Sequence, residues 1–164
     1  MGRSLVVIGL GYVGLPLAQE ACRSGLRVTG LDVSEAVVTG LNEGRSHVDD
    51  ISASEVEAMQ STGFVATSDA ACIVAADVIV ICVPTPLSDD GTPDLRYVVS
   101  ASETTADLLR TGTLVVLEST TYPGTTEGSV RPILEERSGL IAGEDFYLAY
   151  SPERIDPGNR QFGL

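Results

Sequence analysis

Two kinds of apolar block alternate along the 164-residue chain. The first kind is short, unbroken and aliphatic, as in Val6-Val7-Ile8, Val78-Ile79-Val80-Ile81 and Leu114-Val115-Val116-Leu117, and it marks strands buried on both faces. The second kind spaces its apolar residues three and four apart, as Val13, Leu17 and Ala21 do, and marks helices with one inner stripe. The pattern predicts strands over 5–8, 27–31, 64–66, 77–82, 113–117 and 146–150. Between them it predicts a helix beginning near Tyr12 and others over about 34–42, 54–60, 69–75, 94–110 and 126–137. Asp94 is placed to cap the fifth of these, whose inner stripe is Leu95, Val98, Val99, Ala106 and Leu109, with Gly112 just past its end. Pro132 should kink the sixth or delay its start. Strands that alternate with helices predict an α/β fold, a doubly wound parallel sheet in the order 3-2-1-4-5-6, with the fourth strand beside the first.

The first strand breaks into the first helix through Gly9-Leu10-Gly11-Tyr12-Val13-Gly14, a G-x-G-x-x-G turn. Its first glycine permits the tight turn, its second lets backbone approach a pyrophosphate, and its third lets helix and strand pack closely. The helix that follows aims free N–H groups and the positive end of its dipole at that point, with Tyr12 and Val13 offering backbone, so anion binding there needs no lysine. Pro16 suits the first helical turn. Glycine triplets of this kind also occur in ordinary turns, but here the second strand follows and ends at Asp32, 23 positions after Gly9. A carboxylate at that place accepts hydrogen bonds from ribose hydroxyls and repels a 2′-phosphate. The segment therefore predicts a Rossmann-type βαβ unit that takes NAD in preference to NADP.

Size and composition narrow the reading. The length fits a single domain with a real core, and an aromatic share of 5% with no Trp gives an aliphatic one. All ten basic residues are Arg, and a net charge of −13 argues against nucleic-acid or anionic-membrane binding. No run is long enough for a membrane span and no leader opens the chain, which predicts a cytoplasmic protein. Cys22, Cys72 and Cys82 lack C-x-x-C spacing and sit among Ala, Val and Ile, where they read as small buried hydrophobes. His47 has no partners at metal-binding spacing, so no metal site is expected.

Three polar segments fall where strands four, five and six end: Cys82-Val83-Pro84-Thr85-Pro86, Glu118-Ser119-Thr120-Thr121-Tyr122-Pro123-Gly124-Thr125, and Tyr150-Ser151-Pro152-Glu153-Arg154-Ile155-Asp156-Pro157-Gly158. Each alone reads equally well as a turn. A doubly wound sheet, however, delivers all three to the crevice where ligand binds, which makes their hydroxyls and carboxylates candidates for chemistry. Arg154 has two uses open to it, a substrate phosphate or a salt bridge with Asp156.

These motifs together, VIGLGYVGLPLA, the acid at Asp32, LNEG at 41–44, CVPTP, ESTTYPGTTE and YSPERIDPGN, resemble the UDP-glucose/GDP-mannose dehydrogenase family along the whole chain. The last two look most like its UDP-N-acetylhexosamine 6-dehydrogenase branch. The resemblance implies a parent enzyme of polysaccharide biosynthesis that oxidises the C6 alcohol of a nucleotide sugar, a UDP-sugar first among them, to the acid with two NAD, and works as a homodimer. It also implies roles. Gly9, Gly11, Tyr12, Val13 and Gly14 match the pyrophosphate loop and Asp32 the ribose acid, while Thr85 and Thr120 match threonines on the nicotinamide side. Thr120 is also associated with a water that takes the alcohol proton, and Glu153 with proton handling or water orientation during thioester hydrolysis.

Two departures stand out. Val37 replaces a basic residue common just after the ribose acid, which implies weaker cofactor binding. The family's nucleophilic cysteine, in a G-x-G-G-x-C setting, and its catalytic lysine have no counterpart here, and without the thiol the second oxidation has no trap for the aldehyde. The chain is accordingly expected to be the cofactor half of a two-domain enzyme, over 1–164, lacking the central helix and the substrate domain and inactive alone. The β-hydroxyacid dehydrogenases share the opening fingerprint but have no match to YSPERIDPGN. A non-catalytic NAD-binding module is the other rival.

Overall fold

The computed structural model describes residues 2–88 and 91–152. Its six strands are β1 (Ser4–Ile8), β2 (Arg27–Leu31), β3 (Val65–Thr67), β4 (Val78–Ile81), β5 (Leu114–Leu117) and β6 (Tyr147–Tyr150). They form one sheet in the order β3-β2-β1-β4-β5-β6, with every pairing parallel, as the alternation predicts. Parallel strands place all their carboxyl ends on one edge, and the reversal of winding falls between β1 and β4.

Both faces of the sheet are covered, which is why its strands are apolar without alternation. Leu5 and Val7 of β1 join Val28 and Val80 in a core beneath the helices α1 (Gly14–Arg23), α2 (Glu35–Asn42) and α3 (Ala53–Ser61). Val6 and Ile8, one residue out of phase, face the opposite way with Ile79, Ile81, Val115 and Leu117, beneath α4 (Arg96–Leu108) and α5 (Arg131–Ser138). Phe146 and Leu134 are completely enclosed in this second core.

Several boundaries differ from the sequence reading for identifiable reasons. The first helix begins at Gly14 rather than near Tyr12, because residues 12–13 stay in a turn around the open glycine loop. Helix α3 starts one residue before the expected position, fixed by a capping box in which Ser52 Oγ accepts from Glu55 N–H and the Glu55 carboxylate accepts from Ser52 N–H. The segment expected as a helix over 69–75 is a 3-10 helix, Ala70–Ala75, started by Asp69, whose carboxylate accepts from Ala71 N–H. Leu95, not Asp94, is the N-cap of α4; Asp94 sits one residue upstream and accepts from Arg96 N–H and its guanidinium. The inner face of α4 is also more polar than its stripe implies. Ser102 and Thr105 are fully buried and return their hydroxyls to the Val98 and Ala101 carbonyls. Pro132 does delay the last α-helix: Thr126–Val130 is a π-helical turn, and α5 proper begins at Arg131.

Candidate functional site at the carboxyl edge of the sheet

Gly9 leaves β1 at φ 91°, a left-handed conformation that favours glycine, and its N–H donates to the Leu31 carbonyl at 2.8 Å. A Cβ there would sit 2.7 Å from the Cys82 carbonyl oxygen, so the turn is pressed against the end of β4. Gly14 is tighter still, since its Cβ would meet the Gly9 carbonyl oxygen at 1.8 Å. Gly11 is the opposite case. A Cβ on it would meet nothing within 4 Å, because that side of the turn opens outward. The first helical hydrogen bond runs from Leu15 N–H to the Gly11 carbonyl. The N–H groups of Gly11, Tyr12 and Val13 therefore stand ahead of the helix and donate to no acceptor among the described residues. Two glycines close the turn and one keeps a space open beside unsatisfied donors, the geometry that a diphosphate requires.

Asp32 stands at the end of β2, partly buried. One carboxylate oxygen accepts from Leu10 N–H at 2.8 Å and the other from Ser34 N–H at 2.9 Å. Ser34 in turn caps α2, its hydroxyl accepting from Val37 N–H. The acid thus fastens the glycine turn to the start of α2, and each oxygen keeps acceptor capacity for a further donor. Val37 packs against the first core, so its side chain serves helix packing.

Across the switch point, the ends of β4 and β5 are stitched together. Thr85 donates its hydroxyl to the Thr120 carbonyl, which brings the two threonines singled out in the sequence side by side. Ser119, buried beside them, donates to the Val83 carbonyl at 2.8 Å and fixes the strand end that leads to Thr85. Sequence reasoning assigned Ser119 no role of its own. The available signal was its position two residues after Leu117, where the alternation of Val115 and Leu117 turns it inward. Thr125, also buried, shares a 2.7 Å hydrogen bond with Thr121 and donates to the Tyr122 carbonyl, which shapes the turn after β5. Tyr12 and Thr120 are both exposed on this edge.

Glu153, Arg154 and Asp156 lie outside the described residues. Cys22 and Cys82 are buried and Cys72 half-buried; loss of hydration on burial pushes the Cys22 and Cys72 thiols up, away from the nucleophilic thiolate. Among the described residues no group of three His, Cys, Asp or Glu is placed to hold a metal ion. No helix there is long and apolar enough to cross a membrane. A concavity of about 340 Å³, lined by residues including Asp77, Arg110 and Thr113, opens on the opposite edge of the sheet, away from these groups.

A parallel 3-2-1-4-5-6 sheet with a glycine turn after its first strand and an acid after its second defines a dinucleotide-binding domain of the doubly wound class. Comparison with known proteins makes this specific. Residues 3–162 match the UDP-glucose/GDP-mannose dehydrogenase family, NAD binding domain, and the chain belongs to that family. It is 40% identical to the protein CapL of Staphylococcus aureus over 160 residues, covering 98% of this chain and 37% of that protein. It is 39% identical to the UDP-N-acetyl-D-glucosamine 6-dehydrogenase of Pseudomonas aeruginosa over 157 residues, covering 96% of this chain and 36% of that protein. Among solved structures, the UDP-D-ManNAc dehydrogenase of Pyrococcus horikoshii superposes with a TM-score of 0.89 at 40% identity, over 95% of this chain and 37% of that one. The chain thus spans little more than a third of the length of these relatives.

Proposed function

We propose that these 164 residues hold NAD within a parent nucleotide-sugar 6-dehydrogenase, which oxidises the C6 alcohol of a UDP-sugar to the acid. The observation that carries the reading is the glycine turn, closed at Gly9 and Gly14 and open at Gly11, with Asp32 bonded to its backbone. In this reading the N–H groups of Gly11, Tyr12 and Val13 receive the diphosphate, and the spare acceptor capacity of Asp32 takes the adenosine ribose hydroxyls. Bound NAD supplies the hydride acceptor. Thr85 and Thr120 border the nicotinamide end, where the Thr120 hydroxyl orients a water toward the alcohol proton. Glu153 is assigned its proton-handling role on the likeness of its segment alone.

The names of the relatives, UDP-N-acetyl-D-glucosamine 6-dehydrogenase and UDP-N-acetyl-D-mannosamine dehydrogenase, support a UDP-N-acetylhexosamine as substrate. The thiol and lysine of the second oxidation, the sugar-binding surface and the homodimer contact are assigned to sequence outside these residues. A cytoplasmic place and a part in polysaccharide biosynthesis go with that assignment.

Isothermal titration of the 164-residue chain with NAD and NADP tests the proposal. Saturable NAD binding is expected, with NADP at least about tenfold weaker, a gap of roughly 1.4 kcal/mol. Preference for NADP, or no binding of either at about millimolar concentration, overturns it.

A further inference from the structure

Gly30 occupies the interior of β2, where glycine is a poor choice: it weakens a strand and packs nothing, and a β-branched residue is preferred. Its backbone gives no reason for it, since Gly30 is not among the glycines with positive φ. The reason lies on the sheet surface. A Cβ on Gly30 would stand 2.7 Å from both terminal methyls of Leu10 and 3.2 Å from its Cγ. Leu10, the residue between the first two glycines of the turn, is completely buried within the first core, so its side chain yields only by displacing packed neighbours.

The same residue is tied at its main chain. Leu10 N–H donates to Asp32 at 2.8 Å, and Gly9 N–H donates to the carbonyl of Leu31, the neighbour of Gly30. Leu10 is therefore a pin through the turn, with its side chain seated in the notch at Gly30 and its amide on the acid two residues on, just past the end of β2. The depth of that seat sets how the turn and the carboxylate lie relative to each other.

We infer that Gly30 is a specificity-determining positioning residue of the cofactor site: by leaving room for Leu10 it holds Leu10 N–H against Asp32 and so aims the carboxylate that discriminates NAD from NADP. The inference rests on the reading of the site as an NAD cradle. A filled notch lifts Leu10, draws its amide from Asp32 and leaves the carboxylate free to turn away from the ribose position.

The test is titration of wild type, Gly30→Ala and the Leu10→Ala/Gly30→Ala pair with NAD and with NADP. Wild type that fails to bind NAD overturns the reading of the site, and the inference with it, before any variant matters. Given wild-type binding, Gly30→Ala is expected to weaken NAD about tenfold or more while NADP changes little, so that selectivity collapses. The double variant, which removes the atoms that clash, is expected to regain most of the selectivity. A purely structural fault would weaken both nucleotides in parallel. Parallel loss, wild-type affinity and selectivity in Gly30→Ala, or a double variant no better than the single one overturns the inference. Should Gly30→Ala fail to fold, the double variant decides: folded and NAD-selective supports Gly30 as the clearance that Leu10 requires, unfolded or unselective overturns it.

Discussion

The turn after β1 and the strand ends after β4 and β5 share one edge of the sheet but are built from different material. The turn is main chain. Its shape follows from three missing side chains, and Asp32 and the core hold it from behind. The β4–β5 end is made of side-chain hydroxyls: Thr85 on the Thr120 carbonyl, Ser119 on the Val83 carbonyl, and Thr121 with Thr125. Main-chain recognition suits a ligand part that is common to many enzymes, because amide groups are present in any sequence that can make the turn. Hydroxyls suit the part that varies, since those of Thr85 and Ser119 are placed by residues 35 and 36 positions away.

The sharpest break in that contrast lies within the turn. Gly14→Ala drives a Cβ to 1.8 Å from the Gly9 carbonyl oxygen, a backbone atom that cannot rotate away. It is expected to lower Tm by several degrees and to weaken NAD binding about a hundredfold or more. Gly11→Ala meets no protein atom within 4 Å, so its Tm should stay within about a degree of wild type. Its NAD affinity should still fall about tenfold or more, because the methyl enters the space beside the free amides. Calorimetry paired with titration separates the two. A Gly11→Ala chain that binds NAD normally would place the diphosphate elsewhere.

This difference also explains what the sequence could disclose. Strand order was legible because unbroken aliphatic runs, a single-chain α/β alternation and Asp32 all constrain the same topology. The tight fit at Gly14 was legible because its neighbour is the Gly9 carbonyl, five positions earlier in the same motif. Gly30 was not, since its purpose is the Leu10 side chain on another strand's turn, twenty positions earlier. Ser119 escaped for the same reason, its acceptor being the carbonyl of Val83. The helix expected over 69–75 became a 3-10 helix, which rises further per residue than an α-helix, in the short connection that must carry the chain past β2 and β1 from β3 to β4.

Asp32→Asn probes the joint between turn and sheet. The amide keeps the shape but offers only one acceptor atom, so it can satisfy Leu10 N–H or Ser34 N–H and not both. NAD binding is expected to weaken about tenfold and NADP to improve, because a hydrogen bond to a charged group is worth roughly 1.5–3 kcal/mol and the repulsion of a 2′-phosphate disappears. Unchanged selectivity in titrations would remove the acid from the recognition step.

The opposite edge of the sheet gives a control that involves no nucleotide. Asp77, at the start of β4, accepts from both the N–H and the hydroxyl of Ser4, and these bonds hold its carboxyl below the usual range. A depressed pKa in the folded state contributes stability that is complete above the ordinary carboxylate value and lost as pH falls through the lower folded one. Glu55, Asp94, Asp107 and Glu135 are shifted the same way, Glu55 by its capping bonds to Ser52 and Glu135 by Ala142 N–H. Tm measured from neutral pH downward should therefore decline below about pH 4, and Asp77→Asn should decline less steeply. An equal slope in wild type and variant would deny Asp77 its part.

The smallest effect is expected where hydroxyls replace main chain. Thr85→Val keeps the shape of the side chain and removes the donor to the Thr120 carbonyl, which faces an exposed edge where water can take the vacated place. Folding should be unaffected within error. ADP-ribose, which reaches only the glycine turn and Asp32, should bind as in wild type, while NAD should weaken by about two- to fivefold, less than the full value of a neutral hydrogen bond. An equal loss for both ligands would mean that Thr85 supports the turn rather than the far end of the crevice, and the division of labour between backbone and hydroxyls would fail. A loss for NAD alone would locate the nicotinamide at the β4–β5 end, as the role proposed for Thr120 requires.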